Sequence, residues 1–440
     1  MKRVISSLLA AALAGAVFTA CGTPSSSVSQ TSGSQEPVKQ KTEYAESITL
    51  MGGQNNIKDI DRELFKKFED ETGIEVKVLL TPDGEYESMV SSNLAGGSDV
   101  VDVFLYGAAN VMVSAGIPEI ALDLSGEEWV SRYEDWATKA NTYDGKVYGC
   151  STWGVDYEGI LYNKTFFDEN KLTVPGTWEE FVKLCDDIAA LGVTPMYESI
   201  NGTWHTQSWF YGMTPVILDA KADTVEYLNT DKNNKWTDIP VVAEGLEQIR
   251  TFLSTKENGA PKYYTNDGQA EDFFGAYPSL LNRETAMMFT YSAFHAELAA
   301  QDGKDEWGMF PCPVLDNKVG VSNGGGISKF INKNSSKTEE CKMLFEFLTR
   351  DENLEAYYGA RKDLVTSAFK DVESVASTTA TEEMLERSAR TPEVMFLKDI
   401  LYWDPDIYKY MQGFAAGETS VDQMIKGMDD FRATMFDAAG

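Results

Sequence analysis

Between residues 47 and 105 the chain alternates short apolar runs with amphipathic helical patterns, and this alternation constrains the fold most. Residues 48–51, 74–80 and 100–105 have the length and composition of buried strands. The first helical pattern between them ends at Gly73, a residue type that commonly terminates helices, and its apolar face comprises Ile57, Ile60, Leu64, Phe65 and Phe68. Strands joined by helices through short links predict a parallel, doubly wound α/β sheet.

Polar residues follow each of these predicted strands. Ligands of such sheets bind beyond the carboxyl ends of the strands, which all meet at one edge. Residues 53–55, 83–86 and 106–110 are therefore expected to lie along one rim, and they are candidate ligand contacts on this geometric ground.

The stretch from residue 143 to 164 contains two apolar segments joined by Trp153, Asp156 and Tyr157. An aromatic ring beside a carboxylate suits a neutral polyhydroxylated ligand, because the ring covers an apolar sugar face and the carboxylate accepts two hydroxyl donors. The alternative is a strand pair with a tryptophan at its rim and a solvated aspartate. The stretch by itself leaves both open.

The N-terminus predicts export. Lys2 and Arg3 precede an apolar run over residues 4–20, which is too short and too rich in alanine for a transmembrane anchor. Small residues then lead into Cys21, and this resembles the lipobox of bacterial lipoproteins; an ordinary signal with a chance cysteine is the alternative. We expect residues 1–20 to be a signal peptide and residues 21–44, which are rich in small polar residues, to be a lipidated flexible tether.

Charge and motif content exclude several classes of function. The formal charge of −31 becomes −33 when Lys2 and Arg3 are removed with the signal. Such a surface repels nucleic acid and anionic ligands and suits neutral or cationic partners. The two histidines, the widely spaced cysteines and the absence of HExxH, GxSxG and P-loop patterns predict no metal site and no cofactor, and they weaken enzyme hypotheses. Cys150, Cys185, Cys312 and Cys341 allow three disulfide pairings or four buried thiols.

The second half offers further candidate rings. Residues 201–211 are the densest mixture of aromatic and amide groups and include Trp204. Tyr291 follows a predicted strand over residues 286–290, and Trp403 lies in a later helical region. The glycine run at residues 324–326 lacks the GxGxxG pattern of a phosphate-binding loop. A hinge, or a close approach of the backbone to a ligand, is therefore the better interpretation.

An ordered set of motifs carries a family resemblance. The motifs occupy residues 73–76, 98–104, 145–149, 161–164, 175–180 and 307–313, followed by the glycine run. In this order they look like the extracellular solute-binding proteins of family 1, which serve ABC sugar importers and include the maltose-binding protein. The resemblance covers nearly everything from Ser47 to the C-terminus.

The resemblance implies a two-lobed, class II periplasmic-binding-protein-like fold. Each lobe would be a mostly parallel sheet flanked by helices, and the chain would cross a hinge near residues 156–159, 322–325 and 364–366. Residues 45–156 plus 325–366 would form one lobe, and residues 157–324 plus 367–440 the other.

The family also implies ligand contacts. The positions that match are Gln54, Asn55, Asp83, Glu85, Tyr106, Asn110, Asp156, Trp204, Tyr291, Phe294, Gly325 and, with a spacing shifted by about one residue, Trp403. The sequence departs from the family at Cys150, where a proline is commoner, and this puts the role of Trp153 in doubt.

The implied function is that of a lipid-anchored, monomeric binding component of an ABC importer. It would capture a mono- or oligosaccharide between its lobes and deliver it to the membrane permease, without being an enzyme and without touching the membrane except through Cys21. It would stand on the extracellular face or in the periplasm. Two alternatives are a surface lipoprotein that binds or hydrolyses glycosides outside transport, which for hydrolysis needs a carboxylate pair, and an adhesive or structural lipoprotein.

Overall fold

A computed structural model describes residues 44–94, 101–200, 205–265, 273–301, 304–324, 326–362, 364–373, 378–404 and 406–439. The predicted signal peptide, Cys21 and the predicted tether up to residue 43 lie outside these residues. Of the helices in the described ranges, none joins enough apolar residues to cross a membrane.

The strands of the described residues are, in chain order, β1 (Ser47–Gly53), β2 (Glu75–Thr81), β3 (Val103–Gly107), β4 (Thr142–Tyr143), β5 (Lys146–Val147), β6 (Gly149–Cys150), β7 (Val155–Asn163), β8 (Thr194–Tyr197), β9 (Lys256–Glu257), β10 (Ala260–Pro261), β11 (Thr285–Tyr291), β12 (Trp307–Phe310), β13 (Val321–Gly324), β14 (Ile327–Ile331) and β15 (Glu393–Val394).

The helices are α1 (Asp59–Thr72), α2 (Asp83–Leu94), α3 (Asn110–Ser114), α4 (Ile117–Ile120), α5 (Asp135–Ala140), α6 (Lys164–Asn170), α7 (Trp178–Ala190), α8 (Ser208–Gly212), α9 (Thr214–Ala220), α10 (Thr224–Thr230), α11 (Pro240–Ser254), α12 (Ala276–Leu281), α13 (Ser292–Gln301), α14 (Thr338–Leu348), α15 (Asp351–Ala360), α16 (Thr379–Arg387), α17 (Ile407–Ala416) and α18 (Val421–Ala439).

The predicted alternation at the start of the chain is confirmed. β1 pairs in parallel with both β2 and β3, and α1 and α2 connect the three strands. Helix α1 buries the predicted apolar face, and Gly73 ends it in the left-handed region at φ 78°. The helix begins only at Asp59, so Ile57 is buried in the turn before it.

The first sheet has the strand order β2-β1-β3-β14-β6. β14 is antiparallel to both β3 and β6, so it alone runs against the other four strands. The second sheet has the order β15-β13-β7-β11-β8, with β12 also paired to β7. Here β7 alone runs against the rest, because it is antiparallel to β11, β12 and β13. In each sheet all strands but one therefore run in the same direction, as predicted for mostly parallel sheets, while the pairings made by β14 and β7 are antiparallel.

Each sheet has its own hydrophobic core, and these cores define two lobes. The first lobe buries side chains from residues 48–150 and 330–372. The second lobe buries side chains from residues 160–321 and 395–428 on one face of its sheet, and a smaller cluster that includes Phe294 and Met384 on the other. The sheets and helices thus build the expected two-lobed α/β fold.

The three segments predicted as crossings lie side by side at Val155. In the second sheet Val155 pairs with Gly324, and it exchanges two backbone hydrogen bonds with the segment that contains Thr366. Ala368, Phe369 and Val372 still pack in the first core, whereas Ala380 packs with the second lobe. Val365 packs with the second lobe as well, so the boundary expected at residue 366 stays a prediction.

Candidate ligand-binding site

Asp156 lies at the first crossing, near the start of β7, and is only 5% exposed. The Nε1–H of Trp153 donates to its Oδ2 atom at 3.0 Å. The hydroxyl of Ser292, the first residue of α13, lies 3.4 Å from its Oδ1 atom and also accepts from the backbone N–H of Tyr157 at 3.1 Å. The carboxylate therefore connects a ring next to the first lobe with a hydroxyl of the second.

Trp153, whose role the sequence left in doubt, lies against an arginine as well as beside Asp156. The guanidinium carbon of Arg361 lies 4.1 Å from the centre of the Trp153 ring, and Arg361 donates from Nη1 to the hydroxyl of Tyr357 at 3.0 Å. Sequence reasoning missed Arg361. A basic residue at the C-terminal end of a helix is common because it complements the helix dipole, so its position gave no functional signal.

A second carboxylate, Glu158, lies on the same face of β7 as Asp156, since side chains two residues apart on a strand share a face. The amide of Asn323 donates to its Oε1 atom at 2.7 Å. Burial, reinforced by carboxylates that include Asp156 and Glu158, holds the pKa of Tyr291 well above its usual range. Its hydroxyl is therefore neutral near pH 7. The alternation of residues 156 and 158 could have identified Glu158 from the sequence.

The first-lobe rim contains the residues predicted to follow β1, β2 and β3. Gln54 and Glu85 are exposed, Asn55 is half-buried and Tyr106 is buried. The backbone N–H of Gln54 donates to the carbonyl of Thr81 at 3.0 Å, which ties the ends of β1 and β2 together. Asp83 begins α2 at the same edge, so the rim forms where parallel strands end, as predicted.

Among the described residues, polar contacts also join the lobes away from the crossings. The side-chain amide of Asn110 donates to the carbonyl of Leu397 at 2.9 Å, and Lys139 pairs with Asp399 at 2.7 Å. Lys58, which precedes α1, pairs with Glu297 on α13. The predicted ligand contact Asn110 thus holds the second-lobe backbone in this structure.

Two rings predicted as sugar platforms pack inside the protein instead. Phe294 is fully buried and stacks on Tyr277 with ring centres 4.6 Å apart. Trp403 is 8% exposed, packs edge-on against Phe210 and donates from Nε1 to Gln207 at 3.1 Å. The position of an aromatic residue in the sequence does not determine whether its ring faces the cleft or the core. Trp204 and Gly325 lie outside the described residues.

A buried carboxyl–imidazole pair lies behind the end of β8. Glu198 accepts from the Nε1–H of Trp209 at 2.9 Å, and its other oxygen lies 3.4 Å from His205 Nδ1. His205 Nε2 lies 2.8 Å from the carbonyl of Phe289, so Nε2 carries the hydrogen. Burial raises the pKa of Glu198 to about 8 and lowers the pKa of His205 to about 4. At pH 7 the contact therefore joins two neutral groups.

Replacing Glu198 with glutamine is expected to flatten the pH dependence of stability between about pH 6.5 and 8. Folded Glu198 keeps its proton up to about pH 8, whereas an unfolded glutamate has lost it, so stability falls as pH rises through this window. His205 gives the opposite slope below its unfolded pKa of about 6.5, where it offsets Glu198. Thermal unfolding midpoints of both proteins from pH 6.5 to 8 measure the difference.

Glu179→Gln, on the exposed first turn of α7, is the matched control and should keep the wild-type decline. A decline of equal steepness in wild type and Glu198→Gln would contradict the assignment of a buried proton to Glu198.

The described residues were compared with the ligand sets that metal ions require. Within the described part of the chain, no cluster of three histidine, cysteine or carboxylate side chains could hold a metal ion. Cys150, Cys185, Cys312 and Cys341 are buried free thiols, and burial raises the pKa of Cys150 and Cys312 to about 12. What the site offers is a ring, two carboxylates and hydroxyl groups, which together can bind a neutral ligand rich in hydroxyls.

Similar proteins share this architecture. The chain matches the family described as bacterial extracellular solute-binding protein over residues 54–355. A multiple sugar-binding protein of Streptococcus mutans is 24% identical over 315 residues, which are 69% of this chain and 72% of that protein. The structure of the solute-binding protein RafE in complex with raffinose superposes with a TM-score of 0.68 at 20% identity, covering 88% of this chain and 99% of that one. An ABC transporter solute-binding protein of Thermotoga lettingae bound to alpha-D-tagatose gives a TM-score of 0.69 at 20% identity over 89% of this chain and 99% of that one.

At these identities the solved structures establish a shared fold, and the family match covers more than half of the sequence. The chain therefore belongs to the bacterial extracellular solute-binding proteins, a family of binding proteins and not of enzymes.

Proposed function

We propose that this protein captures a neutral mono- or oligosaccharide between its two lobes. The observation that carries the proposal is the position of Asp156 at the first crossing, beside the Trp153 ring and within reach of Ser292 on α13. The names of similar proteins support it, since the Streptococcus mutans relative is a multiple sugar-binding protein and the similar structures hold raffinose and tagatose.

The proposed contacts come from both lobes, which is what closure around a ligand requires. We retain the rim residues, the crossing and the second-lobe positions, and we add two residues that sequence reasoning missed or doubted. We leave out Asn110, which binds the backbone of the second lobe, and Phe294 and Trp403, which pack inside it. The proposed set is Gln54, Asn55, Asp83, Glu85, Tyr106, Trp153, Asp156, Glu158, Trp204, Tyr291 and Gly325.

The energy of these contacts is sufficient for sugar capture. A ring stacked on a sugar contributes on the order of 1 kcal/mol, and a hydrogen bond to a charged group roughly 1.5–3 kcal/mol. A few of each give about −8 kcal/mol, which corresponds to micromolar affinity. The three interlobe contacts at Lys58, Asn110 and Lys139 would add to the stability of a closed arrangement.

The same proposal includes transport and anchoring. The protein would pass its sugar to the permease subunits of an ABC transporter, acting as a monomer held at the membrane by a lipid on Cys21. Residues 21–44, which are rich in small polar residues, would serve as the tether. Support comes from the lipobox-like sequence and from the family, whose members are extracellular.

A thermal-shift screen tests the sugar proposal. We expect at least one of raffinose, stachyose, mannobiose, galactose and tagatose to raise the unfolding midpoint by several degrees, because a ligand at about 100 times its Kd adds roughly 2.7 kcal/mol. Glutamate and inorganic phosphate are controls and should give no shift, since the protein carries a strong negative charge.

No shift with any sugar at about 10 mM would contradict the proposal, because this concentration is roughly 10,000 times a micromolar Kd. Release of reducing sugar from raffinose or stachyose over hours would favour the glycoside-hydrolysing alternative instead.

A further inference from the structure

Arg361 lies directly after α15 and is 5% exposed, yet no part of the proposed function uses it. We propose that Arg361 is a positioning residue: it fixes the Trp153 ring and, through that ring, the Asp156 carboxylate in the orientation that captures the ligand. The inference rests on the proposed function for its ligand and on the packing of the described residues for its geometry.

The guanidinium of Arg361 lies near two aromatic rings. Its central carbon lies 4.1 Å from the Trp153 ring centre and 5.7 Å from that of Tyr357, whose hydroxyl accepts from Nη1. A planar guanidinium is weakly hydrated and stacks well on aromatic faces, whereas a lysine ammonium is a compact, strongly hydrated charge. The position therefore favours arginine for its shape as well as its charge.

Trp153 is also confined at the edge of the indole that carries Nε1. A Cβ atom added to Gly326 would lie 3.3 Å from the indole Nε1, so the backbone of the second crossing closely approaches the ring. The neighbouring residue Thr152 accepts from the buried Lys329 at 2.9 Å, and Lys329 lies 3.5 Å from Asp61 on α1. These contacts tie the segment that carries the ring to the first lobe. Arg361 then fixes the orientation of the ring by covering one of its faces.

The contacts continue into the second lobe. Trp153 donates to Asp156 at 3.0 Å, and Asp156 lies 3.4 Å from the hydroxyl of Ser292 on α13. Tyr357, Arg361, Trp153, Asp156 and Ser292 therefore form one connected series from α15 to α13. A substitution at Arg361 should therefore change both the affinity for the ligand and the contact between the lobes, although Arg361 itself is not among the proposed ligand contacts.

The test uses the full-length protein with Arg361→Gln and Arg361→Lys and reads the indole N–H resonance of Trp153, assigned with Trp153→Phe. In the sugar-free protein we expect both substitutions to move this resonance and to speed its exchange with solvent, because the ring loses its stacking partner. Affinity for the panel sugar that stabilises the wild type most should fall about fivefold or more.

Arg350→Gln is the matched control. Arg350 precedes α15 at its opposite end and also lies over a ring, 5.1 Å from the centre of Phe347, but it pairs with Glu71 at the surface. It should leave the Trp153 resonance and the sugar affinity unchanged.

An unchanged Trp153 resonance in a folded Arg361→Gln protein would overturn the positioning role. A moved resonance with unchanged sugar affinity would overturn its link to ligand capture. If the wild type binds no sugar, the proposed function fails, and the resonance in the sugar-free protein still decides whether Arg361 positions the ring.

Discussion

Replacing Asp156 with alanine is expected to weaken sugar binding at least about tenfold while the protein remains folded. The Asp156 carboxylate is one of the two acceptor carboxylates proposed at the first crossing, and each hydrogen bond from a sugar hydroxyl to it would be worth roughly 1.5–3 kcal/mol. The substitution also leaves the Trp153 indole N–H and the Ser292 hydroxyl without this acceptor, so the ring loses its fixed orientation. Titration calorimetry with the best panel sugar measures the change in Kd.

Two controls separate a ligand contact from general damage. Asp156→Asn keeps the size of the side chain and one acceptor oxygen but removes the charge, so its loss of affinity should lie between those of the wild type and Asp156→Ala. Asp135→Ala removes a carboxylate whose side chain is 97% exposed in the first lobe, and it should leave Kd unchanged. A Kd within about twofold of the wild type for Asp156→Ala would contradict the site assignment.

Replacing Gly154 with alanine is expected to lower the free energy of unfolding by about 2–3 kcal/mol. A Cβ atom at this position would lie 1.9 Å from the carbonyl oxygen of Thr366, and a backbone atom cannot move aside as a flexible side chain can. The third crossing would shift, and the hydrogen bonds from Val155 to Thr366 and from Val365 to Val155 would be lost or strained. Urea unfolding of the wild type and the variant measures the loss.

Gly126→Ala is the matched control for this prediction. A Cβ atom at Gly126 meets no atom within 4 Å, and the residue is not among the glycines with positive φ. Its free energy of unfolding should therefore stay within about 0.5 kcal/mol of the wild-type value. If Gly154→Ala were as stable as Gly126→Ala, the close packing of the first and third crossings would be wrong.

Gly154 lies against the third crossing and Gly126 does not, so the comparison also tests how closely the first and third crossings pack. Gly154→Ala displaces the crossing next to Trp153 and Asp156, so we expect its sugar affinity to fall together with its stability, whereas Gly126→Ala should change neither. The Gly154 effect thus depends on a contact between residues 212 positions apart in the sequence, which no local pattern contains.

Much of the fold could be predicted because its determinants are local. The alternation of apolar runs and amphipathic patterns over residues 48–105 gave β1, α1, β2, α2 and β3, and Gly73 ended α1 where a left-handed residue was needed. Strand order within the second sheet could not be derived in this way. β7 pairs with β11, β12 and β13 across more than a hundred residues, and such pairing depends on how separate segments pack.

In the candidate site, too, some residues could be selected from the local sequence and others depended on tertiary packing. Asp156 could be selected from the sequence because it lies beside aromatic residues at a predicted crossing, and in the structure it connects Trp153 with α13. Phe294 and Trp403 were selected on the same kind of reasoning and turned out to pack inside the second lobe. The position of an aromatic residue in the sequence predicts which element carries it, but the side-chain rotamer and the packing decide whether the ring faces a cleft or a core.

The sequence by itself determined the two-lobed α/β architecture, because hydrophobic periodicity, turn residues and motif order are properties of short segments. The position of the first crossing and the role of Asp156 as a ligand contact stay predictions. Only the tertiary structure decided which residues surround that carboxylate. Arg361, some 200 residues along the chain from Trp153, reaches the ring because the third crossing returns to the first, with Gly154 leaving room for Thr366. Contacts of this kind arise from the packing of whole lobes, so no local pattern can specify them.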